Sequence, residues 1–133
     1  MLEKVIKYED FDGNKREETA YFHLSKPELI EMQVSETGGL EKVIKKITEE
    51  QDNKKLIALF KDLIVKSYGE KSLDGKRFIK NQELTDAFIQ SAAYSELFME
   101  LATDSDKASE FIMGILPKDL SEQVEKELAA QNQ

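Results

Sequence analysis

Along the first two dozen residues, apolar and charged positions alternate, and the pattern turns back on itself at Asp12-Gly13, a dipeptide that supplies the positive φ of a tight turn. The spacing predicts a β-hairpin over residues 3–24. With a two-residue turn, Asp10 faces Lys15, Glu9 faces Arg16 and Lys7 faces Glu18, three opposite-charge pairs. In that register Val5, Ala20, Phe22 and Leu24 share one face, and Ile6, Tyr8 and Tyr21 share the other. Both faces are then partly apolar, although a hairpin resting on helices needs only one.

Beyond the hairpin the period changes to that of helices. Ser25 and Glu28 are spaced as a capping box, Leu24 and Leu29 as a hydrophobic staple, and Pro27 falls in the first turn, so a helix runs from there to about Glu36 and stops before Gly38-Gly39. Leu40, Val43, Ile44 and Ile47 form the apolar stripe of a second helix. A third, from about Asn53 to Tyr68, buries Leu56, Leu59, Phe60, Leu63 and Ile64, with Gly69 placed as a left-handed cap. Residues 70–81 carry a second Asp-Gly pair and read as a structured loop with room for a brief extended segment at Arg77-Phe78-Ile79. A long central helix over about Gln82 to Thr103 is apolar around most of its circumference, with small residues at Ser91-Ala92-Ala93. Asp104 or Ser105 caps a fifth helix that ends at Pro117, and Asp119 with Glu122 starts a tail helix anchored only by Leu120, Val124 and Leu128. The expected fold is α+β but mainly α: one domain over residues 1–133, with a hairpin at 1–24, a bundle of about five to six helices whose core spans 25–117, and a weakly anchored C-terminal helix at 118–133.

Composition narrows the function more than the fold. At 133 residues, with 40% hydrophobic and 35% charged positions, the chain is long enough to bury one core. A net charge of −8 opposes binding to phosphate backbones and anionic lipid, so neither nucleic acid nor membrane is an expected partner. With no cysteine, disulfides and thiolate metal sites are excluded, and a reducing compartment, the cytoplasm, fits best. Charges at Glu3 and Lys4 interrupt the start where a signal peptide needs an apolar run.

The candidate chemistry is thin. His23 is the only histidine, with no second histidine to complete a metal site or a triad. Asp10, Asp12 and Asn14 resemble the opening of a calcium loop, but Lys15 stands where that loop needs glycine and Tyr21 where it needs glutamate. Gly69-Glu70-Lys71-Ser72 resembles the end of a P-loop, yet Glu70 intrudes and the upstream glycine is missing. Lys71, Lys76, Arg77 and Lys80 form a local basic patch, read as the solvated face of a loop or a greeting surface for an acidic partner. No catalytic residue, metal or cofactor is expected, and the chain reads as a binding protein, not an enzyme.

Three stretches carry a family likeness: Tyr68-Gly69-Glu70-Lys71-Ser72-Leu73-Asp74-Gly75-Lys76-Arg77-Phe78, Phe88-Ile89-Gln90-Ser91-Ala92-Ala93-Tyr94-Ser95-Glu96-Leu97-Phe98, and Phe111-Ile112-Met113-Gly114-Ile115-Leu116-Pro117. With the segments around Asp12-Gly13 and at Tyr21-Phe22-His23-Leu24-Ser25-Lys26, they resemble the tail assembly chaperones of long-tailed phages of Gram-positive bacteria. The resemblance implies a short-form chaperone, acting in the cytoplasm of the infected host, that binds and solubilises the helical tape-measure protein. It also implies help in recruiting tail tube subunits, through a longer form made by ribosomal frameshifting, and absence from the mature tail.

A sheath for an amphipathic client needs apolar positions exposed on a charged body. Ile6, Tyr8 and Tyr21 on the hairpin, and Leu120, Val124 and Leu128 on the tail, are the candidates. They either contact a client or a second protomer in a homo-oligomer, or pack on their own domain. The alternative function is an acidic phage inhibitor that mimics nucleic acid in a host protein's groove. Against it, lysines interleave with the acids, as in Glu41-Lys42 and Lys45-Lys46, where a mimic needs unbroken rows of carboxylates.

Overall fold

The computed structural model describes residues 1–33, 53–118 and 122 of the chain. Strands β1 (Leu2–Glu9) and β2 (Lys15–Phe22) form the expected hairpin, followed by helix α1 (Lys26–Gln33). Helix α2 (Asn53–Ser67) leads directly into β3 (Tyr68–Lys71) and β4 (Phe78–Ile79), and helices α3 (Gln82–Ile89), α4 (Ala92–Thr103) and α5 (Ser105–Ile115) follow. The strands make one antiparallel sheet in the order β1-β2-β3-β4. The class is α+β, but the expected hairpin plus bundle is incorrect. The core is a helical layer laid on one face of a four-stranded sheet, because the loop after α2 supplies two more strands.

The hairpin register also differs from expectation, by one residue. Glu9 pairs with Lys15, Tyr8 with Arg16, Lys7 with Glu17 and Ile6 with Glu18. The cause is a three-residue loop, Phe11-Asp12-Gly13, in place of a two-residue turn. It is closed by Asp10 N–H donating to Asn14 O at 2.9 Å and Gly13 N–H donating to Asp10 O at 3.0 Å, with Gly13 at φ +83°. Asp10 Oδ1 accepts the amides of Asp12 and Asn14, and its Oδ2 takes Arg16 Nε at 2.7 Å. Since side chains alternate, a shift of one residue in one strand exchanges its faces. Ile6 and Tyr8 thereby join Leu2, Ala20 and Phe22 on the face that packs against the core, while Val5 and Tyr21 lie on the other. The two apolar sets that seemed to divide between faces are mostly one set.

Phe22 is wholly buried and meets Tyr68 of β3, Phe88 of α3 and Phe111 of α5 at centroid distances of 5.7, 5.8 and 5.2 Å. Tyr68 and Phe88 stack at 4.2 Å. Ionic contact adds to the packing at the edge strand, where Lys4 of β1 reaches Glu100 of α4 at 2.7 Å. Main-chain bonds fix the remaining elements: His23 N–H to Ser67 O and Leu24 N–H to Ile115 O, each 2.8 Å.

Helix ends follow the expected chemistry in most places. Ser25 N–H donates to Glu28 Oε1 at 2.9 Å and Glu28 N–H to Ser25 Oγ at 3.3 Å, a complete capping box, and Leu24 and Leu29 of the staple are both buried. Asp104 caps α5 by accepting from Asp106 and Lys107 amides. The expected single helix over 82–103 is instead α3 and α4, broken at Gln90-Ser91. There Ser91 Oγ accepts Tyr94 N–H, and an extended Ser91 backbone starts a new helix. Predictions for residues 34–52, including the Leu40–Ile47 stripe, and the Leu120, Val124 and Leu128 tail stripe lie outside the described residues.

Gly69 is not a left-handed cap. Among the described glycines only Gly13 and Gly75 have positive φ, and Gly69 sits in β3 opposite Tyr21. Its importance is closeness: a Cβ there would lie 2.7 Å from the backbone oxygen of Ile79 and 2.8 Å from the Phe78 ring. Gly69→Ala should therefore force the β3–β4 hairpin aside and destabilise the domain by about 1–3 kcal/mol. A urea midpoint equal to that of wild type would refute this account of the position.

Candidate functional site

Two turns of the sheet each carry a large apolar residue directly before Asp-Gly. The three-residue loop Phe11-Asp12-Gly13 closes the first hairpin and the four-residue loop Leu73-Asp74-Gly75-Lys76 the second, where Gly75 has φ +74°. In the second, Gly75 N–H donates to Ser72 O and Ser72 N–H to Arg77 O, both at 2.9 Å. Ser72 Oγ donates to Asp74 Oδ1 at 2.6 Å, and Lys76 N–H reaches the same oxygen at 3.0 Å. These side-chain bonds satisfy the turn without help from Phe11 or Leu73, which stand free. Phe11 is 85% exposed and Leu73 is fully exposed. Since β3 runs antiparallel to β2, and so parallel to β1, both turns project from the same end of the sheet.

Beside the second turn lies an open cleft. Strands β2 and β3 pair only through Tyr21 with Gly69 and Phe22 with Tyr68, then separate as β3 turns to pair with β4. The resulting space, about 560 Å³, is lined by residues 19–21 on one side and 68–75 on the other. Lys71 Nζ sits 4.6 Å over the Tyr21 ring at its wall, a cation–π contact, and lies 3.8 Å from Glu3. The P-loop likeness of this segment is thus a β-hairpin turn, and the basic patch is divided among separate tasks.

Lys80 in particular is no solvated loop residue. Its Nζ donates to Glu28 Oε2 at 2.6 Å, His23 O at 2.7 Å and Lys66 O at 2.8 Å, using all three of its protons. It thereby joins the acidic first turn of α1, the end of β2 and the carbonyl-rich end of α2, a favourable place for a cation. Burial pushes the Glu28 carboxyl up, but Lys80 and two Ser25 hydrogen bonds together outweigh it and hold the pKa below the ordinary value. His23 next to this junction has a buried Nδ1 with no hydrogen-bond partner. Its pKa is lowered, first by burial, then by the N-terminal ammonium and Lys80. Its ring packs edge-on to Phe78 at 6.2 Å. Among the described residues no group of three or more histidine, aspartate or glutamate side chains is arranged to hold a metal.

The six positions singled out in the sequence fare differently. Ile6 is 5% exposed and belongs to the core, and Tyr8 is half-buried against it. Tyr21 is half-buried on the outer face beside the cleft. Leu120, Val124 and Leu128 lie outside the described residues. Sequence reasoning missed Phe11 and Leu73. The available signal was a large apolar residue directly before Asp-Gly in both turns, at a position that no strand alternation can carry inward.

The sequence matches a protein-family model described as phage tail assembly chaperone over residues 1–133. No curated protein and no solved structure matches it. Among the described residues, no helix is long and apolar enough to cross a membrane.

The junction at His23 and Glu28 fixes a pH response. His23 titrates lower when folded than its ordinary 6.5, so the unfolded chain takes up the proton first, and stability falls as pH drops below about 6.5. Glu28 and Glu100, both held below their ordinary 4.5, add a second loss as pH falls below that value. Urea midpoints measured from pH 7 to pH 5 should decline in wild type and stay nearly level in His23→Gln. Parallel declines in the two proteins would remove His23 as the cause.

Proposed function

The chain belongs to the phage tail assembly chaperone family, and on that premise we propose that it binds and solubilises the tape-measure protein in the cytoplasm of the infected host. On this reading it helps recruit tail tube subunits through a longer frameshifted form, and is absent from the mature tail. The observation that carries the reading is the pair of apolar turn tips, Phe11 and Leu73, exposed at one end of the sheet on a body of net charge −8. A helical client with an apolar stripe loses water-exposed area against such tips, while the acidic surface keeps the complex in solution.

Tyr21, beside the cleft, and the tail residues Leu120, Val124 and Leu128 extend the proposed contact surface. Tyr8, half-buried on the core face, has a smaller part, and Ile6 is already covered by its own protomer. The geometry gives no support to a nucleic-acid mimic, because the acidic side chains of the outer sheet face alternate with Lys7 and Lys15.

Co-expression with a tape-measure protein tests the reading. Wild type should keep the client in the soluble fraction. Phe11→Asp combined with Leu73→Asp should lower the soluble client about tenfold or more, with the chaperone's own stability changed by no more than about 0.5 kcal/mol, as for ordinary surface substitutions. Tyr21→Glu and Val124→Glu should each weaken capture to a lesser extent. Undiminished solubilisation by the double variant would remove the tips from the mechanism.

A further inference from the structure

Strand β1 ends the sheet, and among the described residues nothing pairs with its outer side. The bond from Asp10 N–H to Asn14 O fixes the phase of the ladder, so Tyr8, Ile6, Lys4 and Leu2 turn their main-chain groups toward β2. The bond from His23 N–H to Ser67 O, on the other side of β2, agrees with that phase. Glu3, Val5, Lys7 and Glu9 therefore point their N–H and C=O groups to the open side. Natural edge strands are usually guarded by a bulge, a proline, short length or a row of like charges. This edge has eight regular residues, no proline and side chains of both signs.

We propose that β1 pairs antiparallel with β1 of a second copy of this chain, with Val5 opposite the partner's Val5. Outward-bonding residues must face one another in such a ladder, which leaves few registers. Centred on Val5, the pairing sets Glu3 against the partner's Lys7 and Lys7 against the partner's Glu3, two opposite-charge pairs beside an apolar one. Shifted by one pair toward the turn, it sets Glu3 against the partner's Glu9 twice. Centred on Lys7, it sets lysine on lysine. Shifted the other way, it puts Val5 against a glutamate and shortens the ladder. The Val5 register alone sets opposite charges against each other, and it pairs seven of the eight strand residues, Leu2 to Tyr8.

The same register covers surface that the monomer leaves in water. Val5 is 53% exposed, and Leu2 and Tyr8, both half-buried on the helical face, come opposite each other across the dyad. The two-fold axis stands perpendicular to the joined sheet, so both helical layers lie on one side. The outer faces, with their cation–π pair of Lys71 and Tyr21, then form one continuous surface on the other. The 3.8 Å contact of Glu3 with Lys71 involves two exposed side chains and is too weak to hold Glu3 from the partner.

The test uses the purified chain without client, so it stands apart from the chaperone reading. Sedimentation of wild type should show a dimer. Lys7→Glu, which leaves Glu3 facing a glutamate on both sides of the dyad, should raise the dimer Kd about tenfold, and Glu3→Lys with Lys7→Glu should restore it. The chain has no cysteine, so Val5→Cys is a clean probe. Paired residues there lie about 5.5 Å apart at Cα, within disulfide range, and oxidation should give a covalent dimer, while Thr19→Cys on β2 should not. Far-ultraviolet circular dichroism confirms that each variant is folded. A wild type that stays monomeric, a dimer indifferent to Lys7→Glu, or Val5→Cys linking no faster than Thr19→Cys would each overturn the proposal.

Discussion

Phe22 is the constraint to which the other elements are fitted. Its ring is closed off by side chains from β3, α3 and α5, elements separated from it by more than forty residues of chain. Even-numbered β2 residues face inward with it, and the loop that Asp10 and Gly13 close sets the register that brings Leu2, Ile6 and Tyr8 of β1 onto the same face. A local matter, two amides accepted by one carboxylate, thus decides which face of the hairpin is apolar. The burial of one large aromatic side chain, worth about 3–5 kcal/mol against alanine, in turn rewards that local choice. Turn chemistry and core packing agree, which is what gives a chain one native state instead of several.

The second organising contact is polar. Lys80 satisfies three acceptors from three elements and leaves none of its protons unpaired, so its partial burial is compensated. It closes the corner where β2 ends, α1 begins and α2 stops, at the side of the sheet opposite the Lys4–Glu100 contact. Between them the two lysines join sheet to helices at both sides, although the apolar contacts alone would permit sliding. Lysine suits this position because its three donors diverge, whereas a planar guanidinium would direct its donors into one plane.

Much of this was legible in the sequence, and the failures have particular causes. Capping residues could be read directly: Ser25 with Glu28 and Asp104 bond as their spacing requires. Ser91 carries the same information, but the apolar periodicity on either side of it continued with little change in phase and concealed the break. β4 falls on the brief extended segment allowed at Arg77-Phe78-Ile79, but β3 and the pairing of the two were hidden for a different reason. Their pairing rests on a glycine that lets Phe78 approach, and on a turn held by Ser72 and Asp74, features that look like an ordinary polar loop. The hairpin was recognised but misregistered, since a carboxylate accepting backbone amides favours three loop residues over two, and opposite-charge pairs are available in either register.

Both hairpin turns combine a glycine at positive φ with an aspartate that accepts backbone amides, Asp10 before Phe11 in the first and Asp74 after Leu73 in the second, and both hold a large apolar side chain that the fold does not use. A turn needs no such residue, since any small polar side chain would fit and would avoid exposing apolar area. Two exposures at one end of one sheet are harder to attribute to neutral variation than either alone, because scattered single apolar residues are normal on protein surfaces. The physical cost of keeping Phe11 and Leu73 in water is offset only when something apolar covers them. On the proposed function, a client with an apolar stripe covers the tips while the net charge of −8 keeps the complex in solution.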